Sequence, residues 1–273
     1  MIEDMIIDFH AHIFPDRIAK KTIEYLSEKG GIPPFSDGSY NGLLSEMERA
    51  DVDIAVNLPV VTAPKQFESR TRFAEEINAR PITGKRRIIS FAGMHPRCED
   101  IEGKMEAIAD AGFIGIKLHP DYQETFIDDE GYVRILECAK RLDLVVVTHS
   151  GVDGGYRGHP VRCTPERVRR LIDRVGHKKL VLAHMGANEM AEEVCETLCG
   201  LDVYFDTAYV LHNMDRETFL KMLDHHGEDK ILFASDSPWS GIDRDLRIIK
   251  SFGLEKTVEN KIFYENAKKL LGI

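Results

Sequence analysis

The chain has 273 residues, 43% apolar and 30% charged, with 36 Lys and Arg against 46 Asp and Glu for a net charge of −10. This composition suits a globular protein with a sizeable core and excludes disordered and fibrous architectures. The negative balance argues against nucleic acid as the main partner, and no window reaches the ~18–20 apolar residues of a membrane span.

Met1-Ile2-Glu3-Asp4 has neither the basic start nor the apolar stretch of a signal peptide, so a cytoplasmic location is expected. Apolar, β-rich segments follow at Met5–Phe9, Val52–Leu58, Arg87–Gly93, Phe113–Leu118, Leu144–Thr148, Lys179–Ala183, Asp202–Phe205 and Lys230–Ser235. Segments of helical periodicity lie between and after them, at 41–51, 66–80, 100–112, 130–142, 165–176, 188–199, 215–226, 242–252 and 256–271. Thr164-Pro165 is a helix start with a capping hydroxyl and an N1 proline, and Asp215 and Asp243 stand near two further starts. The strands recur about every 32 residues, the length of a βαβ unit.

Eight such units predict an α/β fold, a single-domain (β/α)8 TIM barrel over residues 1–273. No GxGxxG or GxxxxGK[ST] follows the first strand, which removes the main support for dinucleotide and P-loop folds. Residues 13–40, with a helical stretch at Asp16–Lys29, are too long for a plain connection and read as a lid or insertion after strand 1. Cys98, Cys138, Cys163, Cys195 and Cys199 form no CxxC pair and are expected as reduced thiols.

Six of the eleven histidines, His10, His12, His95, His119, His149 and His184, fall at or just beyond the C-terminal end of a predicted strand. In a barrel these ends converge on one mouth, where active sites are built. His10-Ala11-His12 offers two imidazoles on one side of a strand, a rigid metal pincer. Asp236 ends strand 8 at the same mouth, and His149 and His184 each precede a short glycine-containing turn. Such donors suit one divalent ion, Zn²⁺ by default and Mn²⁺ or Fe²⁺ otherwise, which would activate water at neutral pH. Lys117 faces the same side as His119 two residues on, and a lysine inside a barrel calls for a role. It would donate to an oxyanion or, as a carboxylated side chain, bridge two metals.

His10-Ala11-His12, Gly115-Ile116-Lys117-Leu118-His119-Pro120, His149, His184 and Ser235-Asp236-Ser237-Pro238-Trp239, in that order along the whole chain, resemble the amidohydrolase superfamily. The branch they resemble most is amidohydrolase-2, which includes aminocarboxymuconate-semialdehyde decarboxylase; the chain leaves no room for the flanking β-sandwich of other branches. The resemblance implies that His10, His12, His149 and Asp236 bind one metal, that Asp236 also handles the water proton, and that His184 polarises substrate or water. With two metals, His149 and His184 would hold the second ion beside Lys117; one ion is the favoured reading.

The expected function is hydrolysis of a small-molecule ester, lactone or amide by metal-activated water. Non-oxidative decarboxylation of an aromatic or enoic acid on the same metal shell is the alternative, and a TatD-type deoxyribonuclease, echoed by Met94-His95-Pro96, a further one. A metal-binding barrel without turnover is the rival from another class. His119 and Trp239 are expected to line the substrate site, and Arg157 or Arg162 to clamp a substrate carboxylate. The expected partner is a small molecule, including carboxylates, with no nucleic acid or membrane; the resemblance allows a homodimer.

Overall fold

The computed structural model describes residues 5–82 and 84–273; the expectation for Met1–Asp4 lies outside them. Among the described residues, nine strand segments form the staves of a barrel: β1 (Ile7–Ala11), β2 (Ile54–Asn57), β3 (Arg87–Ser90), β4 (Ala92–Gly93), β5 (Gly115–Leu118), β6 (Val145–Thr148), β7 (Leu180–Leu182), β8 (Tyr204–Asp206) and β9 (Ile231–Leu232). All pairings are parallel, in the orders β1-β2-β3 and β4 through β9. Phe9 N–H donates to Phe233 O (2.9 Å), Asp236 N–H to His10 O (2.8 Å), and Ala11 bridges Ser237, so the last stave returns to the first.

The third stave, expected as one strand over Arg87–Gly93, is interrupted at Phe91. The cause is local. The Asn78 amide takes both backbone groups of Ser90, accepting from its N–H (2.8 Å) and donating to its carbonyl (2.9 Å), and so diverts them from the ladder. The other expected strands are present with shifted ends, and two shifts matter for the site: β1 runs on to include His10, and β8 ends on Asp206.

Around the staves lie α1 (Asp16–Gly30), α2 (Tyr40–Ala50), α3 (Phe67–Asn78), α4 (Ile101–Asp110), α5 (Glu130–Arg141), α6 (Pro165–Val175), α7 (Ala191–Thr197), α8 (Arg216–His226), α9 (Ile242–Ser251), α10 (Lys256–Asn260) and α11 (Asn266–Leu271). A π turn at Lys261–Glu265 separates the last two, where a single helix was expected. The capping signals act as anticipated at Thr164, whose hydroxyl accepts from Arg167 N–H (3.4 Å), and at Asp215, which accepts from Thr218 N–H (2.8 Å). Five free cysteines are present, three of them buried. No helix among the described residues is long and apolar enough to cross a membrane.

Strand alternation sorts the core into two layers. Val145 and Val147 join Ile7, Phe9, Val56, Phe91 and Leu232 inside the barrel, whereas Val146 packs outward against the helices. Gly115 also faces inward: a Cβ there would lie 2.5 Å from the Phe91 ring and from the Val145 carbonyl oxygen. Its missing side chain lets the Phe91 ring fill that level, with Lys117 two residues further up the stave. Gly115→Ala is expected to destabilise the protein by about 1–3 kcal/mol through overpacking; an unchanged Tm by calorimetry would contradict this packing.

Candidate metal centre

His10 lies on β1, which breaks register with β2 between Asp8 and Ala11, and His12 stands just past its end. Asp236 follows β9 with φ +69°, an unusual left-handed conformation held in place by its N–H bond to His10 O. Across the seam, Asp8 accepts from Ser235 N–H (2.9 Å), Ser235 Oγ–H (2.5 Å) and His10 N–H (3.2 Å). Burial pushes the Asp8 carboxyl up to about 7. The first and last staves are thus locked together directly beneath the donors.

His10 Nε2 and His12 Nε2 are 3.1 Å apart, and Asp236 Oδ1 lies 3.4 and 3.1 Å from them. The opposite ring nitrogens are already committed: His10 Nδ1 bonds Asp206 Oδ2 (2.9 Å) and His12 Nδ1 bonds the Leu58 carbonyl (2.8 Å). Both partners accept, so each Nδ1 carries a proton, and in the neutral rings each Nε2 is the acceptor. Two such nitrogens and a carboxylate oxygen converging suit a cation, a place that the Lys117 ammonium approaches from the His10 side. A tetrahedral ion with bonds of about 2.0–2.1 Å separates its ligand atoms by about 3.3–3.4 Å, close to the spacing found.

Lys117 is buried on β5 with Nζ 2.9 Å from His10 Nε2. Burial lowers its pKa to about 8 despite the opposing pull of Asp206 and Asp236. His10 is held well below the ordinary imidazole range by burial and then by Lys117, which keeps it neutral.

His149 and His184 form a second pair. His184, two residues past β7 with φ +63°, donates from Nδ1 to the Ala208 carbonyl (2.9 Å), so its Nε2 is bare and faces His149 Nδ1 at 2.9 Å. His149 Nε2 and Asp121 Oδ2, 3.8 Å apart, are buried and have no hydrogen-bond partner among the described residues. His119 stacks between Tyr122 (4.0 Å) and His149 (4.2 Å), with Nε2 3.4 Å from Asp153 Oδ2. The structure therefore gathers His10, His12 and Asp236 in one donor cluster, and places His149 with His184 and His119 beside it.

These groups open into a cavity of about 880 Å³, lined also by Trp239, Tyr209 and, from α1, Ile18, Lys21, Tyr25 and Lys29. Arg157 pairs with Glu189 outside that wall, and Arg162 bonds Asp121 (3.4 Å). His95 accepts from Arg97 N–H on Nδ1 (3.0 Å) and bonds the Thr62 backbone.

Two supporting residues escape a reading of the sequence. Asp206, fully buried, bonds His10 and accepts from the His184 and Ala208 amides (2.9 and 3.1 Å). Burial raises its pKa, while His184 and Lys117 oppose the rise. Its signal was its place at a strand end, one residue beyond the expected strand. Gln123 donates to Val61 O (2.8 Å) and Met94 O (2.6 Å) and accepts from His119 N–H (3.0 Å) and Tyr132 O–H (2.7 Å), joining three loops; no motif marks it.

The sequence profile of the amidohydrolase family matches residues 7–273. No curated protein matches the chain. Among solved structures, 5-carboxyvanillate decarboxylase from Novosphingobium aromaticivorans, complexed with manganese and 4-hydroxy-3-methoxy-5-nitrobenzoic acid, is 15% identical with a TM-score of 0.70, covering 99% of this chain and 97% of that one. The 2,6-dihydroxybenzoate decarboxylase from Rhizobium is 19% identical, with a TM-score of 0.68 and 98% of each chain covered. A probable 2-pyrone-4,6-dicarboxylic acid hydrolase from Acinetobacter baumannii with citric acid bound is 13% identical, with a TM-score of 0.65, covering 98% of this chain and 99% of that one.

Asp206→Asn is expected to weaken metal binding about 10–100-fold, because the His10 ring loses the partner that fixes its tautomer. Competition with a chelator of known affinity measures it, and an unchanged metal affinity would remove Asp206 from the site.

Proposed function

The chain belongs to the amidohydrolase family, and from that premise we propose that it is a metal-dependent hydrolase of a small-molecule ester, lactone or amide. The observation that carries this reading is the convergence of His10 Nε2, His12 Nε2 and Asp236 Oδ1, 3.1–3.4 Å from one another, in the cavity wall. An ion held there supplies a water acidic enough to act at neutral pH. Zn²⁺ suits the two-nitrogen, one-oxygen set, with Mn²⁺ or Fe²⁺ as alternatives.

In this reading Asp236 receives the water proton and returns it to the leaving group, as a general base and then acid. His184, its Nδ1–H fixed on the Ala208 carbonyl, presents Nε2 as an acceptor that would orient the water, and the His119 stack and Trp239 form the walls. His149 completes the ligand set of a single ion. The closeness of His149 Nδ1 and His184 Nε2, 2.9 Å, also supports a two-ion variant, in which these two histidines and a carboxylated Lys117 would help to hold the second ion. A lysine whose pKa burial brings down to about 8 is more readily deprotonated, as that modification requires.

Decarboxylation of an aromatic or enoic acid on the same shell is the second reading. It is favoured by the likeness over the whole chain to a 2,6-dihydroxybenzoate decarboxylase and to a 5-carboxyvanillate decarboxylase complexed with a hydroxylated benzoic acid.

His10→Ala and Asp236→Asn are each expected to abolish turnover and lower metal content while keeping a Tm close to that of metal-free wild type, because both residues sit above the barrel core. Metal analysis by plasma mass spectrometry, with an assay of esters, lactones and aromatic acids, tests this; a folded, fully active Asp236→Asn protein would overturn the assignment. One equivalent of metal per chain supports the single-ion form, and two support the variant with carboxylated Lys117.

A further inference from the structure

A guanidinium cannot shed its charge, so one withdrawn from water needs an acceptor. Most arginines of this chain have one: Arg157 has Glu189, Arg162 has Asp121, and Arg167 has Asp128. Arg70, on α3, differs. It is half-buried in the cavity wall and, among the described residues, its guanidinium has no hydrogen bond, ion pair or ring contact. Burial lowers its pKa, and no acid opposes that shift.

Its neighbourhood runs against the composition of the chain. Although the net charge is −10, the cavity wall carries Lys21, Lys29, Arg70, Arg97 and Lys117 against Glu124, Asp153 and Asp236. Lys29 lies 3.7 Å over the Tyr156 ring, and Arg97 donates to the Glu124 carbonyl (2.7 Å), so neither is neutralised by these contacts. His95 connects the Arg97 backbone to that of Thr62, in the segment that leads into α3. Arg97 therefore lies in a loop that adjoins the segment leading into α3, the helix of Arg70, and both line the cavity.

We propose that Arg70, seconded by Arg97, is the anchor of a carboxylate subsite on the α3 side of the cavity, distinct from the metal donors. The planar fork of a guanidinium matches a carboxylate in bidentate geometry. The substrate is then a small-molecule acid that bears a carboxylate in addition to the group that meets the metal centre. This rests on the reading of the cavity as the active site.

Calorimetric titration of the full-length protein, with its metal content measured, by benzoate and by isophthalate tests the subsite. Wild type is expected to bind isophthalate about tenfold or more tightly than benzoate, since only the dicarboxylate engages both ends. Arg70→Met is expected to reduce that ratio to about twofold, the statistical advantage of two equivalent carboxylates, while Arg70→Lys keeps part of it. Arg72→Met, on the exposed side of the same helix, leaves it unchanged. An undiminished ratio in Arg70→Met, or no preference above twofold in metal-loaded wild type, would overturn the subsite. A metal-free wild type that still prefers isophthalate through Arg70 would overturn the metal-centre reading and leave the subsite standing.

Discussion

The hydrogen bond between His10 Nδ1 and Asp206 Oδ2 is the interaction on which the site depends. It places the proton on one side of the ring and leaves a lone pair on the other, and without it the approach of His12 Nε2 would not define a cation site. The same carboxylate accepts from the His184 and Ala208 amides, so it sets the start of the loop that carries His184 as well. One buried charge therefore orients both halves of the donor arrangement. Burying it is costly in isolation, and its three donors, with Lys117 nearby, supply the compensation.

The barrel was legible because its signal is periodic and local. Inward and outward alternation on β6 and the regular return of apolar runs need no knowledge of partners. What the sequence concealed came from side chains reaching across elements. The interruption at Phe91 depends on an Asn78 amide twelve residues earlier than Ser90, and the π turn at Lys261–Glu265 leaves no compositional mark. Shifted ends come instead from backbone pairing between staves: β8 reaches Asp206 because its neighbour offers one more ladder partner at Leu232.

The donors at strand ends were legible for a similar reason, since topology brings strand ends together whatever the loops do. Loop residues behave differently. Arg157 and Arg162 had the right chemistry in a glycine-containing loop, yet acids near them in space, Glu189 and Asp121, occupy their guanidinium groups. Arg70 sits on a helix with an ordinary amphipathic pattern, and what sets it apart is a guanidinium with no partner among the described residues. Pairing is a property of the fold, which a linear reading of charge does not reveal. Gln123 is the polar counterpart, an uncharged residue whose four hydrogen bonds tie together the loops after the second, third and fourth staves.

The closing seam gives the donor cluster a mechanical meaning. His10 and His12 belong to the first stave and Asp236 follows the last, and the backbone bond from Asp236 to His10 and the bridge from Ala11 to Ser237 are the stitches between them. The cluster exists only when the ring of staves is complete. An ion bound there acts as a rivet across the join with the longest loop to close. Any ligand that binds the closed ring and not the open chain deepens the folded state, by about 2.7 kcal/mol at a hundredfold excess over its Kd. Cofactor supply would then govern how long the protein survives as well as how fast it works.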